Sequence, residues 1–347
     1  MTDTFTFAHL SDPHLSSPTD ASLRTLLGKR GLGYLSWRLR RRSAAGPATW
    51  AALARDVDAM RPDHMLITGD LTQLGLPTEF AQVRRALEGL GDPARVTVVP
   101  GNHDVYHTGS WGPMLSCWAP YFTPDAAQAH SLDARGRHPF PTLRVRGGVA
   151  IIGVCTARPS APLLAVGTVG AGQRHRLADV LAKTGRRGLF RVVLMHHPPT
   201  PSVVAWRKRL TDASALRAIV AEHGAELILH GHAHRASLIS LPGATGPALV
   251  IGAPPAAPLG ERADARGSYY LGRVTPTGGG WRLRLELRAL LPGGREAEVA
   301  DAREVVVDRH TPVRPHGSTD PPEEPEGEAE RRARRAEGRE RRAEMKE

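Results

Sequence analysis

The chain has 347 residues, of which 41% are hydrophobic, enough for one large domain or two medium ones. Its mean hydropathy is −0.30, and its longest aliphatic runs, such as Val149 to Cys155, fall far short of the roughly 18 apolar residues that span a bilayer, which excludes a helical membrane protein. The formal charge of +11 resides in the body, because eight basic and ten acidic side chains between His316 and Glu347 give −2 and leave +13 on the first 315 residues. Such a body favours anionic partners: phosphorylated small molecules, nucleic acid or an acidic membrane face. The two cysteines, Cys117 and Cys155, lie far apart and outside any paired motif, so a disulfide scaffold and a thiolate zinc site are excluded and both read as buried apolar side chains. The N-terminus carries no basic region followed by an apolar stretch, and a cytoplasmic protein is expected.

Taken in chain order, short aliphatic runs at Phe5 to Leu10, Met65 to Thr68, Val96 to Val99, Val149 to Val154, Val192 to Met195 and Leu227 to Leu229 read as buried strands. Helical patterns fall between them, at Trp50 to Met60, Thr78 to Leu90, Gln173 to Lys183 and Ala213 to His223. The alternation predicts an α/β fold. Tyr269 to Thr275 and Trp281 to Leu287, joined across Thr277 to Gly280, predict an antiparallel hairpin within 269–290, and Val305 to Val307 a further strand. One domain over 1–310 is expected, followed by a charged, solvated tail over 311–347 rich in Pro, Glu and Arg.

The stretch from Ala21 to Ala54 contains no acid but seven basic residues, Arg24, Lys29, Arg30, Arg38, Arg40, Arg41 and Arg42, interleaved with leucines, Tyr34 and Trp37. It reads either as a lid or interfacial helix that meets an anionic substrate or membrane, or as a solvated face packed locally through its leucines.

The chemistry lies at the strand ends: Asp12-Pro-His14, Gly69-Asp70, Gly101-Asn102-His103-Asp104, His196-His197 and Gly231-His232-Ala-His234. Each alone is commonplace. Five such clusters after successive buried strands converge on one edge of a sheet, where α/β proteins place their sites. Carboxylate, amide and imidazole donors without thiolate suit manganese, iron or zinc, and seven candidate ligands are too many for one ion. Two ions about 3.5–4 Å apart can share a bridging carboxylate and generate a water nucleophile, chemistry suited to a phosphate ester. His9, His64, His107 and His223 belong to no pattern and read as structural or surface residues.

The five blocks, in this order, resemble the calcineurin-like metallophosphoesterase superfamily, and the His-His-Pro-Pro form at His196 to Pro199 is similar to its bacterial class III cyclic-nucleotide phosphodiesterase group. The resemblance implies a four-layer αββα sandwich of two mixed sheets flanked by helices. It further implies that Asp12, His14 and His234 hold one metal, that Asn102, His196 and His232 hold the other, and that Asp70 bridges them. His103 would contact the phosphate and protonate the leaving group, Asp104 would orient the His103 ring, and His197 would lie behind the ligands or face substrate. A dinuclear phosphodiesterase is the function implied, with a cyclic nucleotide as substrate. The alternatives are a lipid phosphoesterase or nucleotide-sugar pyrophosphatase at a membrane surface, motivated by the basic segment, then a nuclease or a non-catalytic scaffold. A nucleic-acid partner is disfavoured because no separate binding module is recognisable.

Overall fold

Period-2 alternation in the central strands sorts their side chains between two cores, and this division sets the layers of the molecule. The computed structural model describes residues 4–40, 46–125, 139–244, 246–257, 266–294 and 296–308. The elements all belong to one unit, Met1–Thr311; the tail expected over 311–347, like Arg41 and Arg42, lies outside the described residues. In chain order the elements are β1 (Phe5–Leu10), α1 (Lys29–Arg40), α2 (Gly46–Met60), β2 (His64–Ile67), α3 (Pro77–Glu88), β3 (Val96–Val98), α4 (Trp111–Phe122), β4 (Thr142–Arg146), β5 (Val149–Gly153) and α5 (Ala171–Arg186). There follow β6 (Phe190–Leu194), α6 (Ala213–His223), β7 (Leu227–His230), β8 (Ser237–Leu241), β9 (Ala248–Gly252), β10 (Ser268–Pro276), β11 (Gly280–Leu290) and β12 (Ala297–Asp308).

Two six-stranded mixed sheets form, in the orders β12-β11-β10-β1-β2-β3 and β4-β5-β6-β7-β9-β8. The parallel strands β1, β2 and β3 lie together in the first, and β5, β6, β7 and β9 in the second. Val149 and Ile151 of β5, Phe190, Val192 and Leu194 of β6, and Leu227 and Leu229 of β7 join Phe7, Leu271 and Trp281 of the first sheet in one core. The alternate residues Ile152, Val193 and Ile228 pack with Leu177 and Leu181 of α5 and Leu216 and Val220 of α6 in another. Helices α2, α3 and α4 contribute Leu53, Phe80 and Trp118 to the first core. The layers are those of the αββα sandwich.

The predicted strands and helices are present with boundaries shifted by a few residues, and the β10–β11 hairpin pairs antiparallel. Helix α4 had no sequence signal, because Gly112, Pro113 and Pro120 interrupt its pattern; it is held by burial of Met114, Trp118, Tyr121 and Phe122 on one face. Strands β4, β8 and β9 were also unpredicted, and β8 alternates half-buried and exposed positions, with only Leu241 buried, too weak a contrast to read as a strand. The local-packing reading of the basic segment is corrected: Leu23, Leu27, Leu32, Leu35 and Leu39 are exposed, and of the large apolar residues between 21 and 40 only Trp37 is buried. Cys155 is buried and its thiol is pushed up to about 12 by burial, whereas Cys117 is only half-buried. No described helix is long and apolar enough to cross a membrane.

Candidate metal centre

The five polar blocks follow β1, β2, β3, β6 and β7, the C-terminal ends of strands that run parallel within each sheet. The loops are tied to one another through the main chain: Asp12 N–H donates to the Gly69 carbonyl at 3.0 Å and His14 N–H to the Asp70 carbonyl at 3.1 Å. Close approach demands glycine at Gly231, where a Cβ would overlap Ser11 Oγ and come within 2.5 Å of Asp12 Oδ2. Asp12, His14, Asp70, His232 and His234 adopt left-handed backbone with φ of 50°, 45°, 56°, 65° and 53°.

Donor atoms of Asp12, His14, Asp70 and His234 lie within 4.8 Å of one another, as do those of Asp70, His196 and His232. Asp70 is common to both groups. Asn102 joins the second through its Oδ1, 3.1 Å from His196 Nε2. Backbone carbonyls set the imidazole tautomers, since a carbonyl can only accept. His14 Nδ1–H donates to Thr72 at 3.0 Å and His196 Nδ1–H to Thr68 at 2.7 Å, which turns each Nε2 lone pair into the cluster. His232 is reversed: Nε2–H donates to the Lys208 carbonyl at 3.0 Å, leaving Nδ1 as its donor atom. Oδ2 of Asp12 accepts from Ser11 Oγ–H and His232 N–H, while its buried Oδ1 faces His234 Nε2 at 3.1 Å. Buried nitrogen and oxygen lone pairs in two groups with one shared carboxylate fit two hard or borderline cations.

Burial alone would favour neutral carboxyls, yet His234 and His196 hold Asp12, and His196 and His103 hold Asp70, well below the usual carboxylate range. Burial opposes charge on His196, but Asp70 outweighs it and raises the imidazole to about 9. His232 is driven well down by burial and by its neighbours His197 and His196.

One expected role changes, and of the two positions expected for His197 the geometry favours the one behind the ligands. Asp104 was expected to orient the His103 ring; instead its carboxylate accepts from the N–H groups of Asp70, Leu71, Thr72 and Gly101 and from Thr72 Oγ1–H, at 2.8–3.0 Å. Burial and the charge of Asp70 push it up to about 7, against those donors. The partner of His103 Nδ1 is the Gln73 carbonyl at 2.6 Å, and its N–H donates to Asp70 Oδ1 at 2.8 Å. His197 does not face substrate: it is fully buried, Nδ1 accepts from Thr156 Oγ1–H at 2.8 Å, Nε2–H donates to the Ala165 carbonyl at 3.2 Å, and the ring stands 4.4 Å from that of His232. Burial and His196 lower its pKa to about 3. It buttresses the ligands from behind.

A cleft of about 250 Å³ opens beside Asn102 and His103, walled by α1 through Lys29, Leu32 and Gly33, and by Tyr106, Leu163 and Lys208. Lys29 Nζ–H donates to Ser160 Oγ at 2.8 Å and lies 4.6 Å from the centre of the Tyr106 ring, which in turn is 5.7 Å from that of His103. Burial lowers Lys29 to about 8. Tyr106 escaped the sequence reading although it stands two residues past Asp104; the carbonyl partners Thr68, Thr72, Gln73 and Lys208 carry no side-chain signature at all.

The calcineurin-like phosphoesterase profile matches residues 5–236. The chain is 29% identical over 197 residues to a cAMP/cGMP dual specificity phosphodiesterase of Mycobacterium tuberculosis, covering 53% of each chain. It is 27% identical over 191 residues to a probable cyclic nucleotide phosphodiesterase of Rhodococcus erythropolis, covering 53% of this chain and 55% of that one. The matched region thus spans about half the length of these curated relatives. Among solved structures, a dimetal phosphatase from Danio rerio superposes with a TM-score of 0.52 at 14% identity, covering 87% of this chain and 98% of that one. A purple acid phosphatase from yellow lupin superposes with a TM-score of 0.52 at 14% identity, covering 89% and 55%. These structures share the fold, and the profile match extends from β1 through every ligand block. The chain belongs to the calcineurin-like phosphoesterase family.

Proposed function

We propose that this chain is a metal-dependent phosphoester hydrolase acting on a phosphodiester. The observation that carries the reading is Asp70, the one carboxylate shared by both groups of candidate ligands. Asp12, His14 and His234 would hold one ion, Asn102, His196 and His232 the other, with Asp70 between them and manganese, iron or zinc as the ions the donors suit. A dinuclear centre supplies Lewis acidity toward phosphoryl oxygens and an activated water when bound.

The remaining work falls to this chain's own groups. His103, its Nδ1–H committed to Gln73, turns the opposite edge of its ring to the cleft. There, as the imidazolium, protonated on both nitrogens, it would hold a phosphoryl oxygen through Nε2–H, give that proton to the leaving oxygen and be reprotonated from solvent. Asp104 is a positioning residue that fixes the 70–72 turn and with it Asp70. The buried walls formed by His197 and Thr156 keep water from the back of the ligands. A 3′,5′-cyclic nucleotide is the proposed substrate: its single phosphodiester charge meets the ligand cluster, and its base has Tyr106 and the α1 wall to lie against. The names of the two curated relatives support that choice.

The test is hydrolysis by metal-stripped protein reloaded with Mn²⁺, on a chromogenic phosphodiester, the matching monoester, 3′,5′- and 2′,3′-cyclic nucleotides and a lysophospholipid, with Asp70→Ala as control. Metal-dependent diester turnover that the control lacks is the expected result. Protein verified to carry two metals yet inert on every diester would overturn the activity.

A further inference from the structure

Exposed large apolar side chains are not scattered over this molecule. Of the ten among the described residues, seven lie on the three segments that wall the cleft through Lys29 to Ser36, Leu163 to Ala165 and Arg207 to Lys208: the five leucines from Leu23 to Leu39, Leu163 and Trp206. Leu32, Leu35 and Leu39 recur at i, i+3 and i+7 of α1 and so share one helical stripe, which points to solvent while Trp37 points inward. This inverts the usual amphipathic arrangement. The stripe is not loosely held, because Arg30 ties α1 to the carbonyls of Leu74 and Gly75 and to Ser110 Oγ, and Lys29 ties it to Ser160.

The second wall repeats the chemistry. Leu163 occupies left-handed backbone at φ 65° at a loop tip, with 86% of its surface exposed. Trp206 is 68% exposed, with the Arg209 guanidinium 4.1 Å from its ring centre. Ala165 N–H donates to the Arg207 carbonyl, which joins these two loops. Residues 21–40, 157–165 and 201–209 together hold nine Lys or Arg and no Asp or Glu; Asp20, just before the first stretch, is the acid at the border.

We propose that this rim docks onto an anionic lipid bilayer, with the leucines and Trp206 entering the headgroup boundary and the cations meeting lipid phosphates. Contiguous exposed apolar surface marks an interaction site. A bilayer fits better than a folded partner because the apolar tips protrude from three separate segments around an opening, and a fluid anionic surface can adapt to all of them at once. Docked in this way, the cleft faces headgroups. The inference rests on the rim alone and is independent of the catalytic reading.

The experiment is flotation of the full chain with vesicles of phosphatidylcholine and of phosphatidylcholine mixed with phosphatidylglycerol, at low and high salt, beside a Leu27→Ser/Leu35→Ser/Leu39→Ser variant and an Arg24→Glu/Arg38→Glu variant. Partition onto the anionic vesicles should exceed that onto neutral ones by about tenfold, fall with salt, and drop by about tenfold in each variant. Both variants should retain wild-type turnover of a soluble diester, since none of these residues lines the cleft. Equal partition onto neutral and anionic vesicles, or undiminished partition in both variants, would overturn the proposal. So would a wild-type dimer in sedimentation that the leucine variant dissociates, which would make a second copy the occupant. An inactive enzyme that still floats with anionic vesicles would refute the proposed activity and leave the docking intact.

Discussion

The Nδ1–H of His103 meets the carbonyl oxygen of Gln73 across 2.6 Å, so the main chain, and not a carboxylate, fixes which ring nitrogen faces the cleft. His103 is therefore separable from the metals. His103→Gln should keep both ions and lose turnover by about a hundredfold or more, whereas Asn102→Ala should lose the second ion. Metal content by mass spectrometry beside diester kinetics checks this, and equal metal loss in the two variants would contradict the assignment.

Asp104→Ala strips the carboxylate from four backbone N–H groups and one hydroxyl. Each buried donor left unsatisfied costs about 1–3 kcal/mol, and without full additivity a loss of at least about 3 kcal/mol is expected. Urea unfolding should show it together with loss of metal. A variant of normal stability that lost turnover alone would return Asp104 to the role of ring orienter.

Gly231→Ala places a methyl on Ser11 Oγ, the group that donates to Asp12 Oδ2 at 2.6 Å. Ser11 must move and Asp12 must turn with it. Displacing such an outer partner typically costs tenfold or more in metal affinity, which competition with a chelator would measure. Unchanged affinity would mean that the 11–12 turn gives way freely.

Burial lowers Lys29 from 10.5 to about 8. Between those values the unfolded chain binds more protons than the folded one, so this lysine's contribution makes stability rise with pH from about 8 toward 10.5, and stay level below 8. The difference in unfolding free energy between wild type and Lys29→Met should climb over that interval. A flat difference would show that Lys29 keeps its ordinary affinity for protons.

Far from the cleft, the guanidinium of Arg191 is paired through Nε and Nη2 with both carboxylate oxygens of Glu226, and the two side chains are buried. Glu226→Ala should destabilise the fold by about 3–5 kcal/mol while metal-loaded protein below its unfolding temperature keeps its diester kinetics. Thermal unfolding and rates measured on one preparation would reveal any coupling to the site.

How far the sequence could be read follows from which atoms carry each contact. The ligand blocks were legible because their donors are side chains at strand ends, and the strands themselves announce their positions through short aliphatic runs. The orientation of His103 was not, since Gln73 acts through its carbonyl and any residue offers one. Likewise Asp104 sits beside His103 in the chain, yet four amides of neighbouring turns compete for its carboxylate and win. Helix α4 was hidden because its prolines and glycine mask a pattern that only burial of Trp118 and Tyr121 reveals. The leucines of α1 showed the opposite failure: their spacing is that of a packed face, and no local rule says which side of a helix meets the core.

Five of the residues proposed as ligands, Asp12, His14, Asp70, His232 and His234, hold left-handed backbone that glycine would adopt without strain. At about 1 kcal/mol each, the chain forgoes on the order of 5 kcal/mol of folding free energy to present those side chains. A descendant freed from holding metal would gain by drifting toward glycine at His14 and His234, whereas Asp12 and Asp70 also accept hydrogen bonds from Ser11, His232 and His103 whose loss would offset the relief. The two carboxylates would outlast the imidazoles in an inert relative.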